Sequence, residues 1–495
     1  MWWVKFAKQP VLILLALFGL YFGLYLWRLD ALPVFADEAI YIRWAQLIID
    51  DWQRYLFYPM NDGKTPLQMW LMVPFLWMLE EQLWAARLLS VLAGAVAMAG
   101  VMRSGYLLTA RRRTSYLIAL LFICSPFIFL HQRLALTDAV LLAGLAWSQF
   151  FALRLVKQGH RSDILKLGAV FFLSLFSKTP AILFTPILLS SLLIKQQAWP
   201  QLLRRSVYVG LGLLLGLVLL YSFRLVPLFS QLFAVGGGFL QSKEVLLSAA
   251  LWPSIMANFR FISEQLLTYL GPAFLLLCLP LATRQRRSQI WLLLGSVAFL
   301  AFFLIFGRVL YPRYLLPAML PLLLTVAMTL HHWLDKAKLA WLIVLLLVLR
   351  SVSFMHSSYY DVDQLPLSPK DREQYLEEWS SGHGIREATA LIKERAQSGT
   401  VAVATEGFFG TLPDGILLNL HKTDVSNIYV EGIGQPVRQI PAAFSERAQD
   451  FEEVLLVVNS HRLLLKLPAE QLLAEFCRPN SAPCLQVWQL EPSQL

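Results

Sequence analysis

The sequence predicts a polytopic α-helical membrane protein that carries a small water-soluble α/β domain at its C-terminus. Two observations predict this fold class. The 495 residues are 57% hydrophobic and only 15% charged, whereas soluble domains carry about 25% charged residues. Long apolar segments recur as far as residue 355, and beyond it Asp, Glu, Pro and Gly return to ordinary frequency. We therefore expect a membrane domain over 1–355 and a soluble domain over 356–495.

About eleven segments have spanning or near-spanning length, given that ~20 residues cross the hydrocarbon core. The first is followed by charged residues rather than a small-residue cleavage site, so it is expected to stay in the protein as a helix. The segments are 11–27, 85–103, 115–131, 139–156, 164–177, 181–194, 206–223, 264–282, 290–306, 314–331 and 339–355.

Lysines and arginines concentrate in alternate connections between these segments, namely those near 103–113, 157–166, 195–205, 284–287 and 336–338, and Lys5 and Lys8 precede the first segment. Basic connections lie on the cytoplasmic side of a membrane. The N-terminus is therefore expected in the cytoplasm and the C-terminal domain outside it. The net charge of +10 is explained by this orientation, and we expect no nucleic-acid partner.

The first outer connection, 28–84, contains an apolar stretch at 66–80 that is about fifteen residues long. If this stretch crossed the membrane, every later basic connection would lie outside. We therefore expect an interfacial or re-entrant helix within the outer loop.

Acidic and basic side chains gather in the connections that are expected to face outward, where the positive-inside rule predicts few cations. Four of these residues also have an ordinary structural explanation. Asp37 and Glu38 suit a helix start, Lys64 can extend to lipid phosphates, and Asp138 can pair with Arg133. Together, however, they place carboxylates and cations at one membrane face, and the cations need anionic partners. The residues are Asp37, Glu38, Lys64, Arg133, Asp138, Lys178, Arg308 and Arg313.

The motifs around these residues resemble those of the GT-C glycosyltransferases. More narrowly, they resemble those of bacterial relatives of the dolichyl-phosphate-mannose protein mannosyltransferases and of the lipid A aminoarabinose transferase. The resemblance covers about 1–355. The motifs are Asp37-Glu38-Ala39, Gly63-Lys64-Thr65-Pro66-Leu67, Arg133-Leu134-Ala135-Leu136-Thr137-Asp138-Ala139, Lys178-Thr179-Pro180 and Arg313-Tyr314-Leu315-Leu316-Pro317.

The resemblance implies a transferase of the bacterial plasma (inner) membrane that moves a sugar from a polyprenyl phosphate to an acceptor on the outer face. It implies that Asp37 is the catalytic carboxylate, that Asp138 is a second carboxylate lining the cavity, and that Lys64 contacts the donor phosphate. The acceptor class stays open among a protein hydroxyl, a lipid and another glycan.

The chemistry of the available groups gives the remaining expectations. Asp37, helped by Glu38, takes the proton of the acceptor hydroxyl, and Asp138 orients the acceptor. Attack opposite the phosphate inverts the anomeric centre. The donor phosphate is expected to contact cations and one tyrosine: Lys64, Lys178, Arg308, Tyr311 and Arg313. Tyr41, Tyr58 and Arg133 are expected to line the acceptor cavity.

The motifs also depart from the aminoarabinose enzymes at two places. Those enzymes carry a motif similar to Asp-Glu-Ala-Arg, whereas this chain has Ile40 in place of the arginine. They carry Glu-Lys-Pro-Pro where this chain has Gly63-Lys64-Thr65-Pro66. The donor sugar and the participation of a divalent metal therefore stay open. No other cofactor is expected.

The C-terminal segment alternates helical and strand patterns, with a helix at 385–397 and strands at 400–405, 454–459 and 485–490. Glu406 and His421 could bind the acceptor, but they are interpreted as satisfied surface groups. Cys477 and Cys484 flank a short loop in a domain expected outside the cytoplasm, which predicts a disulfide. Cys124 and Cys278 lie within apolar segments.

Two other functions share some of these features. A membrane transporter or lipid flippase also places charges in its membrane region, but such proteins tend to have internal repeats and ionisable groups at mid-membrane. A surface-glycan polymerase or ligase that uses a diphosphate-linked donor differs from the leading hypothesis only in that donor.

Overall fold

The computed structural model describes residues 10–234, 238–279, 285–334, 336, 338–422, 426–491 and 494. Lys5, Lys8 and Arg284, which helped to orient the helices, lie outside these residues. The chain forms two compact units. The first comprises Met1–Leu29, Leu56–Gln68 and Arg87–Tyr360, and the second comprises Asp30–Tyr55, Met69–Ala86 and Asp361–Leu495.

Helices dominate the part of the chain before residue 361, and a helix lies at each of the predicted apolar segments. The longer ones are Pro10–Leu26, Ala36–Asp50, Leu67–Met78, Gln82–Thr109, Arg112–Ile123, Pro126–Gln132, Thr137–Lys157, Ser162–Ser177, Thr185–Ile194, Trp199–Tyr221, Leu251–Leu277, Arg286–Phe306, Met319–Trp333 and Lys338–Tyr360. Short 3₁₀ helices at Tyr58–Asp62, Thr179–Phe184 and Pro312–Ala318 connect or begin some of them.

Among the described residues, six helices are long and apolar enough to cross a membrane. A seventh span arises if Arg112–Ile123 and Pro126–Gln132, which meet at 66°, cross as one bent unit. Pro10–Leu26, Leu67–Met78 and Thr179–Ile194 are apolar but shorter. The predicted fold class is confirmed, and the count of about eleven spans stays a prediction.

Two broken helices in the first unit are completed by side chains of Lys338–Tyr360. Pro272 has no N–H, so the Thr268 carbonyl four residues earlier lacks its helical donor, and the Arg350 guanidinium donates to it. The Ser351 hydroxyl donates to the Cys124 carbonyl at the other break. Because lipid offers no hydrogen bonds, such carbonyls need partners from within the protein.

The outer-loop helix Leu67–Met78 has 12 residues and contains Pro74. At 1.5 Å per residue it is about 18 Å long, whereas the hydrocarbon core is about 30 Å thick. It is shorter than a straight membrane span, and its interfacial or re-entrant placement stays a prediction.

The second unit joins parts of the outer loop to the C-terminal domain. The Gly382 N–H donates to the Val34 carbonyl at 2.7 Å, and the Ala36 N–H donates to the Ser380 carbonyl at 2.9 Å. The Gln46 amide, on helix Ala36–Asp50, donates to the Leu418 carbonyl at 3.1 Å. These hydrogen bonds join the start of the outer loop to the C-terminal residues within one unit.

A five-stranded sheet with strand order β2-β1-β3-β5-β4 forms the centre of the C-terminal domain. β1, β2 and β3 are parallel, and β5 pairs antiparallel with β3 and β4. The strands are β1 Val401–Thr405, β2 Ile428–Gly432, β3 Glu453–Asn459, β4 Leu472–Phe476 and β5 Leu485–Leu490. Helices Ile385–Arg395, Asp414–Leu420 and Ala442–Ala448 connect or precede the parallel strands.

The interpretation of Glu406 as a surface group is wrong. Its side chain is buried at 3% exposure, because it follows the fully buried strand β1 and packs against the end of β3. His421 lies near the surface, with Nε2 3.2 Å from Asp50 Oδ1.

The structure joins Cys477 and Cys484 in a disulfide and leaves Cys124 and Cys278 as free thiols. We therefore expect two thiols to titrate in the denatured, unreduced protein and four after reduction. Titration of all four without reductant would contradict both the disulfide and the oxidising location that it requires.

Candidate active site

A buried ion pair forms where two helices of the first unit meet. Asp138 is the second residue of Thr137–Lys157, and Lys178 directly follows Ser162–Ser177. The Ser177 hydroxyl donates to the Thr137 carbonyl at 3.0 Å, which joins the two helix ends. Lys178 Nζ then lies 2.8 Å from Asp138 Oδ1, with the Asp138 side chain only 4% exposed.

Aromatic rings and a second cation surround this pair. Lys178 Nζ lies 4.8 Å from the centre of the Tyr314 ring. Arg313 is buried, and its guanidinium carbon lies 5.0 Å from the Tyr311 ring centre and 5.9 Å from that of Tyr314. Its charge acts on both Asp138 and Lys178. Two cations thus act on the buried Asp138 carboxylate.

Lys64 approaches this cluster from the outer loop. The 3₁₀ helix Tyr58–Asp62 ends at Gly63, whose φ of 67° lies in the left-handed region that glycine adopts without strain. The Lys64 N–H donates back to the Pro59 carbonyl at 3.1 Å, which fixes the turn. The Lys64 charge acts on Lys178. Tyr58, the expected cavity residue, begins the same short helix.

Arg133 makes contacts at the ends of the first and last helices of this unit. Its guanidinium donates to the carbonyls of Trp27 and Arg28 at 2.8 and 2.7 Å and to the Ser358 hydroxyl at 3.1 Å. These carbonyls follow helix Pro10–Leu26, where backbone acceptors lack helical donors. The contacts support a structural role, and the predicted place of Arg133 in an acceptor cavity stays a prediction.

Arg308 is exposed, and its backbone N–H donates to the Phe239 carbonyl at 2.9 Å. Among the described residues, its side chain forms no hydrogen bond or ion pair. The contacts therefore connect Arg313, but not Arg308, to the Asp138 cluster.

The other predicted catalytic residues belong to the second unit. Helix Ala36–Asp50 begins with Asp37 and Glu38 in its first turn. The Glu38 side chain is fully buried, and its Oε2 accepts the Phe35 N–H at 3.0 Å, so it caps the helix. Asp37 is half-buried and Tyr41 is buried. The cap explains how this helix start is held rigid.

Two residues of the first-unit cluster were not predicted from the sequence. Tyr314 lies against both Lys178 and Arg313. His131 is fully buried, its ring packs 4.9 Å from Phe127, and it lies within electrostatic range of Asp138. His131 immediately precedes the outer loop that carries Asp138, and a histidine there was the available clue.

Among the described residues, one group of three side chains of metal-binding types lies close enough to share an ion. It consists of Glu475, Cys477 and Cys484. The two sulfur atoms are already bonded to each other. This group therefore gives no reason to assign a metal to the Asp138 cluster.

We expect Lys178→Met to lower the free energy of unfolding by about 3–5 kcal/mol, because it leaves the buried Asp138 carboxylate without its cation. Adding Asp138→Asn removes that charge and should recover most of the loss. Thermal and denaturant unfolding in one detergent measure both effects.

Lys166→Met is the matched control. Lys166 is 47% exposed and lies 3.6 Å from Asp163, which keeps its closer partner Arg154 at 2.7 Å, so the loss of this half-exposed lysine should cost about 1 kcal/mol or less. A Lys178→Met protein as stable as Lys166→Met, or a double variant as unstable as Lys178→Met alone, would contradict the buried pair.

Known families and structures resemble the chain in its motifs and its fold. Residues 63–223 match the dolichyl-phosphate-mannose-protein mannosyltransferase family. The comparison with curated protein sequences finds no match. The crystal structure of ArnT from Cupriavidus metallidurans in the apo state is 15% identical, with a TM-score of 0.58, and the alignment covers 98% of each chain.

The crystal structure of the same ArnT bound to undecaprenyl phosphate also has a TM-score of 0.58 at 15% identity, and the alignment covers 96% of this chain and 97% of that one. The similarity extends over the membrane helices and the C-terminal domain alike. It confirms the resemblance that the motifs predict: the chain is a membrane protein with the GT-C glycosyltransferase fold.

Proposed function

We propose that the protein transfers a sugar from a polyprenyl-phosphate donor to a hydroxyl acceptor. The observation that carries the proposal is the cluster in which Lys178 pairs with the buried Asp138 and the charges of Arg313 and Lys64 act on Lys178. Cations gathered in one place suit an anionic ligand, and a lipid-borne phosphate is such a ligand. The match to the mannosyltransferase family over 63–223 and the ArnT fold support the same function.

The cluster suits the departure of a phosphate. Cleavage of the bond between the sugar and the phosphate leaves negative charge on the phosphate oxygens. Fixed cations stabilise that charge without reorganising. Asp138 holds Lys178 in place through the 2.8 Å ion pair, so its role is to position a phosphate-binding cation.

Asp37 is the proposed base for the acceptor hydroxyl. Glu38 is already bound to the backbone at the helix start, which makes it a positioning residue. Asp37 lies in the helix turn that this cap closes, so the backbone that carries its carboxylate is held in place. Attack on the face opposite the phosphate inverts the anomeric centre.

The location of the reaction follows from the distribution of basic residues. We place the active site on the outer face of a bacterial inner membrane, with the N-terminus in the cytoplasm and the C-terminal domain in the periplasm or extracellular space. A protein hydroxyl, a lipid and another glycan each satisfy the chemistry of the acceptor.

The fold favours a transferase over a transporter or lipid flippase, because the whole chain aligns with ArnT. A polymerase or ligase that uses a diphosphate-linked donor differs in the leaving group. Identification of the lipid product separates these two transferase types.

The direct test supplies the protein in nanodiscs with polyprenyl-phosphate sugars from a bacterial lipid extract and measures release of free polyprenyl phosphate. We expect release that depends on wild-type protein and falls in Arg313→Ala. Release of polyprenyl diphosphate instead, or no protein-dependent release with any acceptor fraction, would contradict the proposal.

A further inference from the structure

The parallel strands of the C-terminal sheet end at polar and aromatic side chains that the proposed transfer chemistry does not use. From β1 the chain passes to β2 on one side and then crosses to β3 on the other. In open α/β sheets, ligands bind outside the carboxyl ends of the strands at the point where the connections diverge. In this sheet that point lies between β1 and β3.

Buried polar groups occupy this point. Glu406 directly follows β1, and Asn459 is the last residue of β3. Glu406 accepts the Asn459 backbone N–H at 2.8 Å and the Asn459 side-chain amide at 2.6 Å. Within the described residues, the buried Oδ1 atom of Asn459 has no hydrogen-bond partner. The Glu406 carboxylate, which these hydrogen bonds hold in place, thus lies beside an Asn459 oxygen that accepts no hydrogen bond from the described residues.

The charges around this point balance. Arg462 Nη1 lies 3.3 Å from Glu406 Oε1. The buried Arg478 lies within electrostatic range of Glu406, Glu378 and Arg462. Two carboxylates therefore face two guanidinium groups, with His461 within electrostatic range of all four, and a ligand without net charge fits them best.

Exposed aromatic rings flank the polar groups. The Arg462 guanidinium carbon lies 4.5 Å from the Trp379 ring centre, and Trp379 is 36% exposed. Phe408 is 74% exposed, although its loop is fixed: the Gly407 N–H donates to the Gly434 carbonyl at 2.9 Å. A side chain at Gly434 would come within 3.3 Å of the Phe408 ring. The hydrogen-bonded loop therefore holds the Phe408 ring in its exposed position.

We propose that these residues form a binding site for a neutral carbohydrate. We define this carboxyl-edge site as Trp379, Glu406, Phe408, Asn459 and Arg462. The Arg462 guanidinium and the Asn459 Oδ1 atom supply donors and an acceptor of the kind that sugar hydroxyls need, and Glu406 holds both side chains in place. Exposed aromatic faces bind the apolar C–H faces of sugar rings. The site goes beyond the transferase proposal, because binding here requires neither a donor nor a transfer step.

The test measures binding of neutral oligosaccharides to the full-length protein in nanodiscs, because maltoside detergents would compete for the site. The probes are maltotriose, cellotriose, mannotriose and tri-N-acetylchitotriose, and saturation-transfer difference NMR measures their binding. We expect at least one to bind and its Kd to rise at least tenfold in Trp379→Ala and in Phe408→Ala. Phe408→Ala changes an exposed ring, so folding is expected to survive.

Arg462→Gln should weaken binding as well, and Arg395→Gln is its matched control. Arg395 pairs with Glu453 at 3.3 Å, at the opposite end of β3. Loss of binding in Arg462→Gln but not in Arg395→Gln supports the carboxyl-edge site. Binding that is equal in all variants, or absent for all four sugars, overturns the proposal and leaves the exposed rings to a protein partner.

Discussion

Asp37→Asn is expected to lower the rate of sugar transfer by ~10²–10⁴, the usual cost of losing a general base. The asparagine keeps the size and hydrogen-bonding capacity of the aspartate but cannot take the proton of the acceptor hydroxyl. Asn also suits a helix start, and the Glu38 cap does not involve Asp37, so folding should be unchanged. Single-turnover transfer measures the rate, and thermal unfolding measures the stability.

Asp51→Asn is the matched control, because Asp51 is an exposed aspartate that ends the same helix. It should transfer sugar at the wild-type rate. A folded Asp37→Asn protein with nearly wild-type transfer would refute the assignment, and Asp138→Asn would become the next variant to test for a base.

Lys64→Ala is expected to weaken donor binding at least tenfold. A hydrogen bond to a charged group contributes about 1.5–3 kcal/mol, and 1.4 kcal/mol corresponds to a factor of ten in affinity. Arg313→Ala should have a comparable effect, because its guanidinium lies beside the Asp138–Lys178 pair. Titration of polyprenyl-phosphate donor into protein in nanodiscs measures these affinities.

The matched control for Lys64 is Lys243→Ala, since Lys243 is exposed in another connection expected on the outer side. Arg308→Ala tests the third predicted phosphate contact. If Lys64→Ala, Arg308→Ala and Arg313→Ala all bind the donor as wild type does, the phosphate binds elsewhere.

The sequence predicted the helices well because a long apolar segment in lipid can satisfy its backbone only as a helix. It did not predict β2 and β4. β2 is half-buried and ends in Glu431 and Gly432, and β4 has a register irregularity between Leu472 and Ala474. Neither strand has the clear alternation that identifies a strand from sequence. The role of Arg350 was also invisible, because it depends on a helix break 82 residues away.

The sequence grouped the candidate site by membrane face but did not determine its contacts. Asp138 and Lys178 are 40 residues apart, and their pairing depends on how two helix ends pack. Arg133 and Asp138 lie in one short loop, yet Arg133 donates to the end of the first helix. Spacing along the chain could not distinguish these outcomes.

The central claim, that the protein takes sugar from a polyprenyl monophosphate, is tested most directly by mass spectrometry of the lipid that copurifies with it. We predict a polyprenyl phosphate, free or carrying one sugar, whose occupancy falls in Lys64→Ala and Arg313→Ala. A polyprenyl diphosphate would contradict the claim and indicate a polymerase or ligase. Bulk phospholipid alone, at equal occupancy in all three proteins, would contradict it as well.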